Sequence, residues 1–212
     1  MTTNHEARWT TRYRDAGDGY LFGTAPNRFL ADHGTLLKAG QSALLVADGE
    51  GRNSVWLAAQ GLDITAVEIT AIAIDRAKRL ALDKRVAVRV LLADMLQADW
   101  PPQELIAAFD WVVGIFIQFA TPAERQRQFA AMKAATRPGG RILLQGYTPK
   151  QLEYRTGGPA DIENLYTPEL LRAAFSDWSI EELVDYEDEI EEGPGHKGRS
   201  ALIGMVARKP AA

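Results

Sequence analysis

Short apolar runs alternate with amphipathic stretches along most of this chain, and that alternation constrains its fold more than any other feature. The runs SALLVA (42–47), DITAVE (63–68), VAVRVLLA (86–93), FDWVVGIFI (109–117) and GRILLQGY (140–147) have the length of buried strands. Between them, RNSVWLAAQ (52–60), AIAIDRAKRLAL (71–82) and PAERQRQFAAMKAAT (122–136) carry helical spacing. Strand–helix alternation builds a parallel sheet through right-handed crossovers, with helices over both faces. Pro138-Gly139-Gly140 stops the third helix ahead of the fifth strand.

Beyond residue 160 the pattern changes. TPELLRAAF (167–175) opens on Thr167 as an N-cap, with Pro168 at the first helical position. WSIEELVDYEDEIEE (178–192) and RSALIGMVARK (199–209), joined by the glycine-rich GPGHKG, predict an antiparallel hairpin. The expectation is an α/β fold with a doubly wound, seven-stranded, mostly parallel sheet and a C-terminal antiparallel hairpin. Residues 1–212 read as a single domain, with 1–35 as an N-terminal segment covering the ligand site.

The 212 residues include no cysteine, which excludes a catalytic thiol, a zinc ribbon and a disulfide framework. No metal site is expected. The N-terminal MTTNHEARWTTRYRDAGDG is polar and does not read as a signal peptide, and no apolar run reaches the ~20 residues of a membrane span. A cytoplasmic protein is the expectation. The net charge of −4 argues against a nucleic-acid partner, and DRAKRLALDKRVAVR (75–89) mixes its charges as a solvated helix face does. A small-molecule substrate is expected, with monomer and homodimer both open.

In such sheets the ligand lies at the carboxyl ends of the strands, where strand order reverses. The first strand runs straight into Asp48-Gly49-Glu50-Gly51-Arg52-Asn53. Glycines permit a tight turn and let a ligand approach the backbone. The next strand-end carboxylate is Glu68, followed by Ile69, at a distance suited to accepting hydrogen bonds from ribose hydroxyls. A dinucleotide site would place a third glycine where Ser54 stands, and the chain has no second nucleotide-binding half. A mononucleoside-like cofactor fits better. Asp94 ends the third strand and either caps a loop or meets an adenine amino group, with Met95 packed on the ring.

These stretches resemble the class I S-adenosylmethionine-dependent methyltransferases, most of all the branch of tellurite-resistance and thiopurine methyltransferases. The resemblance rests on GEGRNSVWLAAQG (49–61), VEIT (67–70), LLADM (91–95), FDWVVGIFIQFATP (109–122) and RPGGRILLQGY (137–147). It implies S-adenosylmethionine as the cofactor. One departure stands out: Leu45 occupies the position of the family's strand acid and Ala47 that of its first glycine. The acid's role then passes to Asp48 or to the N-terminal segment, or affinity is weak. By resemblance, YLFGTAPN (20–27) crosses the site, so Tyr20, Phe22, Gly23 and Asn27 either enclose the methionine end or, for Phe22 with Phe29, anchor the segment in the core. Ile115 and Phe116 are either cofactor contacts or core.

Methyl transfer from a sulfonium needs alignment of the nucleophile more than it needs a base. On the acceptor side Gln118 is the polar residue after the fourth strand. Tyr147, Gln151, Tyr154 and Arg155 follow the fifth, and His196, Lys197 and Arg199 occupy the hairpin loop. His196 is either a titrating group near neutrality that reaches the cleft or an exposed loop histidine. The acidic run 181–192 is either a solvated outer strand or a holder of neighbouring Arg and Lys residues. Together these features predict a methyltransferase acting on a small acceptor, with a sulfur, selenium or tellurium nucleophile favoured by the resemblance. A cofactor-binding domain without activity and a nicotinamide-dependent reductase are the alternatives.

Overall fold

The computed structural model describes residues 4–211. In chain order its elements are α1 (Asn4–Asp15), α2 (Arg28–Asp32), β1 (Ser42–Val46), α3 (Arg52–Ala59), β2 (Asp63–Glu68), α4 (Ala71–Lys84) and β3 (Arg89–Leu92). There follow β4 (Phe109–Ile115), α5 (Pro122–Ala135), β5 (Thr136–Tyr147), α6 (Gln151–Tyr154), α7 (Pro168–Ala174), β6 (Ser179–Glu191) and β7 (Lys197–Arg208). The strands form one seven-stranded sheet of order β3-β2-β1-β4-β5-β7-β6. β1 to β5 pair in parallel, and β7 runs antiparallel to both β5 and β6. The doubly wound sheet with its C-terminal hairpin is as the sequence predicts.

Period-two alternation divides β1 between two cores. Leu44 and Val46 join Phe129 and Met132 of α5 with Leu171 of α7 on one face. Ala43 and Leu45 join Leu57 of α3 with Phe29 and Leu30 of α2 on the other. Removing each such side chain from water contributes about 1.5–3 kcal/mol, which is why the central strands read as unbroken apolar runs. α5 starts at a capping box: Thr121 and Glu124 bond each other's backbone, with Pro122 in the first turn.

Three departures from the sequence expectations have clear causes. β3 is shorter than the run 86–93 because it is an edge strand, paired only along Thr65–Glu68 of β2. β5 begins four residues early, taking Pro138-Gly139-Gly140 into the strand, with a register irregularity against β4 between Phe109 and Trp111. The N-terminal polar segment forms the twelve-residue helix α1, which places His5, Trp9 and Tyr13 on one face. The acids of β6 are both solvated and employed, since Glu181 pairs with Arg141, Glu187 with Lys150 and Arg199, and Asp188 with Arg28.

Candidate functional site

β1 lies between β2 and β4, so strand order reverses beside it, and a cleft opens there at the carboxyl ends of the strands. Its floor is the turn after β1. Ala47, Gly49 and Gly51 all take left-handed conformations, with φ of 49°, 68° and 88°. Ala47 therefore keeps the bend that a glycine would make, and the departure in sequence leaves the backbone path intact. Gly51 is needed for a further reason: a Cβ there would lie 2.8 Å from the Ala77 Cα of α4. Gly51→Ala is expected to cost at least about 2 kcal/mol, from the left-handed strain together with the clash. Thermal denaturation checks this, and a Tm within 2 °C of wild type would contradict it.

Two carboxylates stand on this turn. Glu68, at the tip of β2, is 4% exposed. Its Oε2 accepts from the Gly49 N–H at 3.1 Å, and its Oε1 accepts from the N–H and hydroxyl of Thr70, both at 2.9 Å. Three of its roughly four lone-pair positions are filled, leaving one for a ligand where the sequence reading allowed two. Burial raises its pKa, with the hydrogen bonds from Thr70 and Gly49 opposing. Asp48 accepts from the Ser54 hydroxyl at Oδ2, while its Oδ1 is buried with no partner. Burial pushes this carboxyl up to about 6, against the opposing Ser54 hydrogen bonds and the charge of Arg52. Ser54, at the place of a dinucleotide site's third glycine, thus serves to hold Asp48.

Arg52, Asn53 and Ile69 also line the cleft, as do Asp94, Met95, Ile115 and Phe116. Asp94 caps the loop after β3 and also lines the cleft. It accepts from Leu96 N at 2.9 Å and from Gln97 Nε2 at 3.2 Å.

Other expected site residues lie elsewhere. Tyr20 packs on Val55 and Leu80 and donates to the Arg76 carbonyl at 3.3 Å. Gly23 backs onto Gly193 in an outer groove. Asn27 is a buried strut, donating to Gln145 at 2.6 Å and Glu192 at 2.9 Å while capping α2 through Leu30 N. Gly51 faces α4 rather than the cleft. Gln118 is buried and turned into backbone, donating to the carbonyls of Tyr147 and Asn164 and accepting from Tyr147 N, and it does not line the cleft. The Tyr147 ring stacks behind Phe116 at 4.6 Å, covered by Gly157 and Gly158, and does not reach the cleft. Gln151, Tyr154, Arg155, Lys197 and Arg199 do not line it either.

His196 does line the cleft, but not as a near-neutral titrating group. It is 9% exposed, flanked by Phe22 at 4.5 Å and Phe116 at 4.4 Å, and burial pulls its pKa down to about 3, aided by the charges of Arg52 and Arg12. It is neutral at pH 7.

The sequence reading expected residues 1–35 to cover the site but did not single out the side chains of α1 that form the roof. His5, Trp9 and Tyr13 of α1 close over the cleft beside Phe119. Their i, i+4, i+8 spacing was the available signal. The helix is pinned by the buried pair Arg76–Glu50, 2.7 Å apart; Arg76 also donates to the carbonyls of Tyr13 and Gly17.

A seven-stranded sheet of this order, with a left-handed loop and acids at its switch point, is the Rossmann-like methyltransferase fold. Residues 43–140 match the family model described as a methyltransferase domain. The match and the fold together imply S-adenosylmethionine as the cofactor. A search of curated protein sequences finds no match. Among solved structures, the chain is similar to a protein described for conversion of a disulfide bond into a thioacetal group during echinomycin biosynthesis. There the TM-score is 0.80 at 15% identity, over 98% of this chain and 92% of that one. It is similar also to TehB from Haemophilus influenzae (TM-score 0.70, 20% identity, 96% of this chain and 66% of that one). A third likeness is to a SAM-dependent methyltransferase from Methanosarcina mazei (TM-score 0.68, 16% identity, 89% of this chain and all of that one). Among the described residues no helix is long and apolar enough to cross a membrane.

Proposed function

We propose that this protein moves a methyl group from S-adenosylmethionine to a small acceptor whose nucleophile is a soft chalcogen: sulfur, selenium or tellurium. The observation that carries the cofactor assignment is the buried, unpartnered Oδ1 of Asp48 beside a left-handed glycine loop. An orphaned carboxylate oxygen is costly unless a donor reaches it, and the ammonium of the methionine portion is such a donor. The remaining lone pair of Glu68 takes a ribose hydroxyl, and Asp94 with Met95 holds the adenine. The chemistry the cofactor supplies is an electrophilic methyl on a sulfonium: the acceptor's lone pair forms the new bond as the carbon–sulfonium bond breaks and its electron pair returns to sulfur. The chain's part is to align the acceptor under the α1 roof and exclude water.

What the cleft lacks at that end supports a chalcogen acceptor over an alcohol. His196, with a pKa of about 3, is a poor base at neutral pH, and the Tyr147 hydroxyl is out of reach. An alcohol would keep its proton there, whereas a thiolate, a selenide or a tellurium lone pair attacks without help. Incubation with methyl-labelled S-adenosylmethionine and a panel of thiols, selenite, tellurite, phenols and amines tests this. Label is expected in the chalcogen products, and label confined to phenols or amines would overturn the acceptor assignment. Cofactor binding with no turnover on any acceptor would instead favour a binding domain without activity, the reading that Leu45 at the usual acid's position keeps open.

A further inference from the structure

Four buried polar atoms without hydrogen-bond partners gather near one wall of the cleft: Arg52 Nη1, His196 Nδ1, Glu192 Oε2 and Tyr147 Oη. Arg52 and His196 line the cleft itself. Arg52 is 6% exposed, and its Nη2 lies 2.7 Å from Glu192 Oε2, in ionic contact but off the hydrogen-bonding angle. Glu192 is fixed in turn by Asn27 Nδ2 at 2.9 Å and Arg28 N at 3.2 Å. The pair therefore anchors Arg52 and leaves Nη1 unused. Asp48, the other acid near Arg52, is held on the glycine loop by Ser54. A second guanidinium approaches from α1, where exposed Arg12 lies 4.7 Å from the Trp9 ring and 5.9 Å from that of Phe22.

Resting on the methyltransferase reading above, we infer that Arg52 and His196 form a recognition site for an anionic group, a carboxylate or other oxyanion, on the methyl acceptor. The free Nη1–H is a charge-assisted donor in a poorly solvated wall, where an anion's hydrogen bonds are strongest. His196 adds a second hydrogen-bonding atom from the hairpin loop. Phe22 and Phe116, on either side of its ring, receive the apolar body of the same molecule. The Arg52 charge is shared with Glu192, so recognition rests on the directed Nη1–H, and the exposed Arg12 guanidinium on α1 adds a weaker attraction for anions. The cofactor's own carboxylate shares this chemistry, and the test separates the two sources.

Calorimetric titration of benzoate, selenite and uncharged benzamide into protein saturated with S-adenosylhomocysteine reads the site directly. Both anions are expected to bind, and benzamide at least tenfold more weakly than benzoate. The double variant Arg52→Gln/Glu192→Gln removes both charges together and leaves neither buried alone. It is expected to raise the anion Kd at least tenfold, against a clearly smaller rise in the Kd of S-adenosylhomocysteine through loss of the charge beside Asp48. Arg12→Gln, on the exposed face of α1, gives an independent reading, with about threefold weaker anion binding expected. Equal binding of benzamide and benzoate, an unchanged anion Kd in both variants, or no anion binding to the saturated protein would each overturn the inference. Equal weakening of S-adenosylhomocysteine and anion in the double variant would overturn it in favour of the cofactor's carboxylate. Failure of S-adenosylhomocysteine to bind wild-type protein would instead strike the methyltransferase reading as well.

Discussion

Replacing Glu68 with alanine is expected to weaken binding of S-adenosylhomocysteine by about 1.5–3 kcal/mol, roughly a ten- to hundredfold rise in Kd. The figure is that of one hydrogen bond to a charged group, because only one lone-pair position of this carboxylate is still open to a ligand. The same change releases the Gly49 N–H and both donors of Thr70, so the loop that forms the floor of the cleft loses its tie to β2. Glu68→Gln keeps one acceptor oxygen and should fall between the two. Isothermal calorimetry at pH 7.5 measures the effect. A Kd within twofold of wild type for the alanine variant would remove Glu68 from the cofactor site.

Asp48 makes both stability and cofactor affinity depend on pH, in opposite directions. Its folded-state pKa of about 6 stands above the ordinary value of 3.8. A raised pKa means that the ligand-free fold holds the proton more tightly than the unfolded chain does. That stabilisation is complete below pH ~4 and is lost as the pH rises through ~6. Two pH units correspond to about 3 kcal/mol at most, and the open mouth of the cleft reduces this to about 1–2 kcal/mol. Burial raises Glu68 in the same sense. Asp48→Asn is therefore expected to melt several degrees above wild type at pH 8, with the gap closing at pH 5. Ligand binding reverses the sign, because an ammonium needs the ionised carboxylate. The wild-type Kd for S-adenosylhomocysteine should rise up to tenfold for each pH unit below about 6, and the asparagine variant should bind weakly without that dependence. A wild-type Kd that is flat from pH 5 to 8 would show that Asp48 does not meet the ligand.

Much of the scaffold was legible because its signals are local. DITAVE became β2 with identical bounds, and Thr121-Pro122 and Thr167-Pro168 mark true helix starts. The loop–acid spacing placed Asp48, Glu68 and Asp94 on one cleft, since strand tips in a parallel sheet converge whatever the intervening helices contain. What failed was reading side chains whose fate depends on distant segments. Gln118 looked available because its partners, Tyr147 and the Asn164 carbonyl, belong to β5 and a later turn. His196 was read either as a cleft residue titrating near neutrality or as an exposed loop histidine; it lines the cleft, but Phe22 and Phe116 close around it and burial holds it neutral. The Glu192–Arg52 contact joins the start of α3 to the end of the acidic run, and no spacing rule relates two such positions. The face of α1 was legible in principle, but its polar composition hid three ring-bearing side chains one helical turn apart.

Equilibrium dialysis of labelled S-adenosylmethionine against the purified protein tests the central claim most directly. The account predicts one molecule bound per chain, displaced by S-adenosylhomocysteine and left in place by reduced nicotinamide dinucleotide. No retained label, or displacement by the dinucleotide alone, would contradict it.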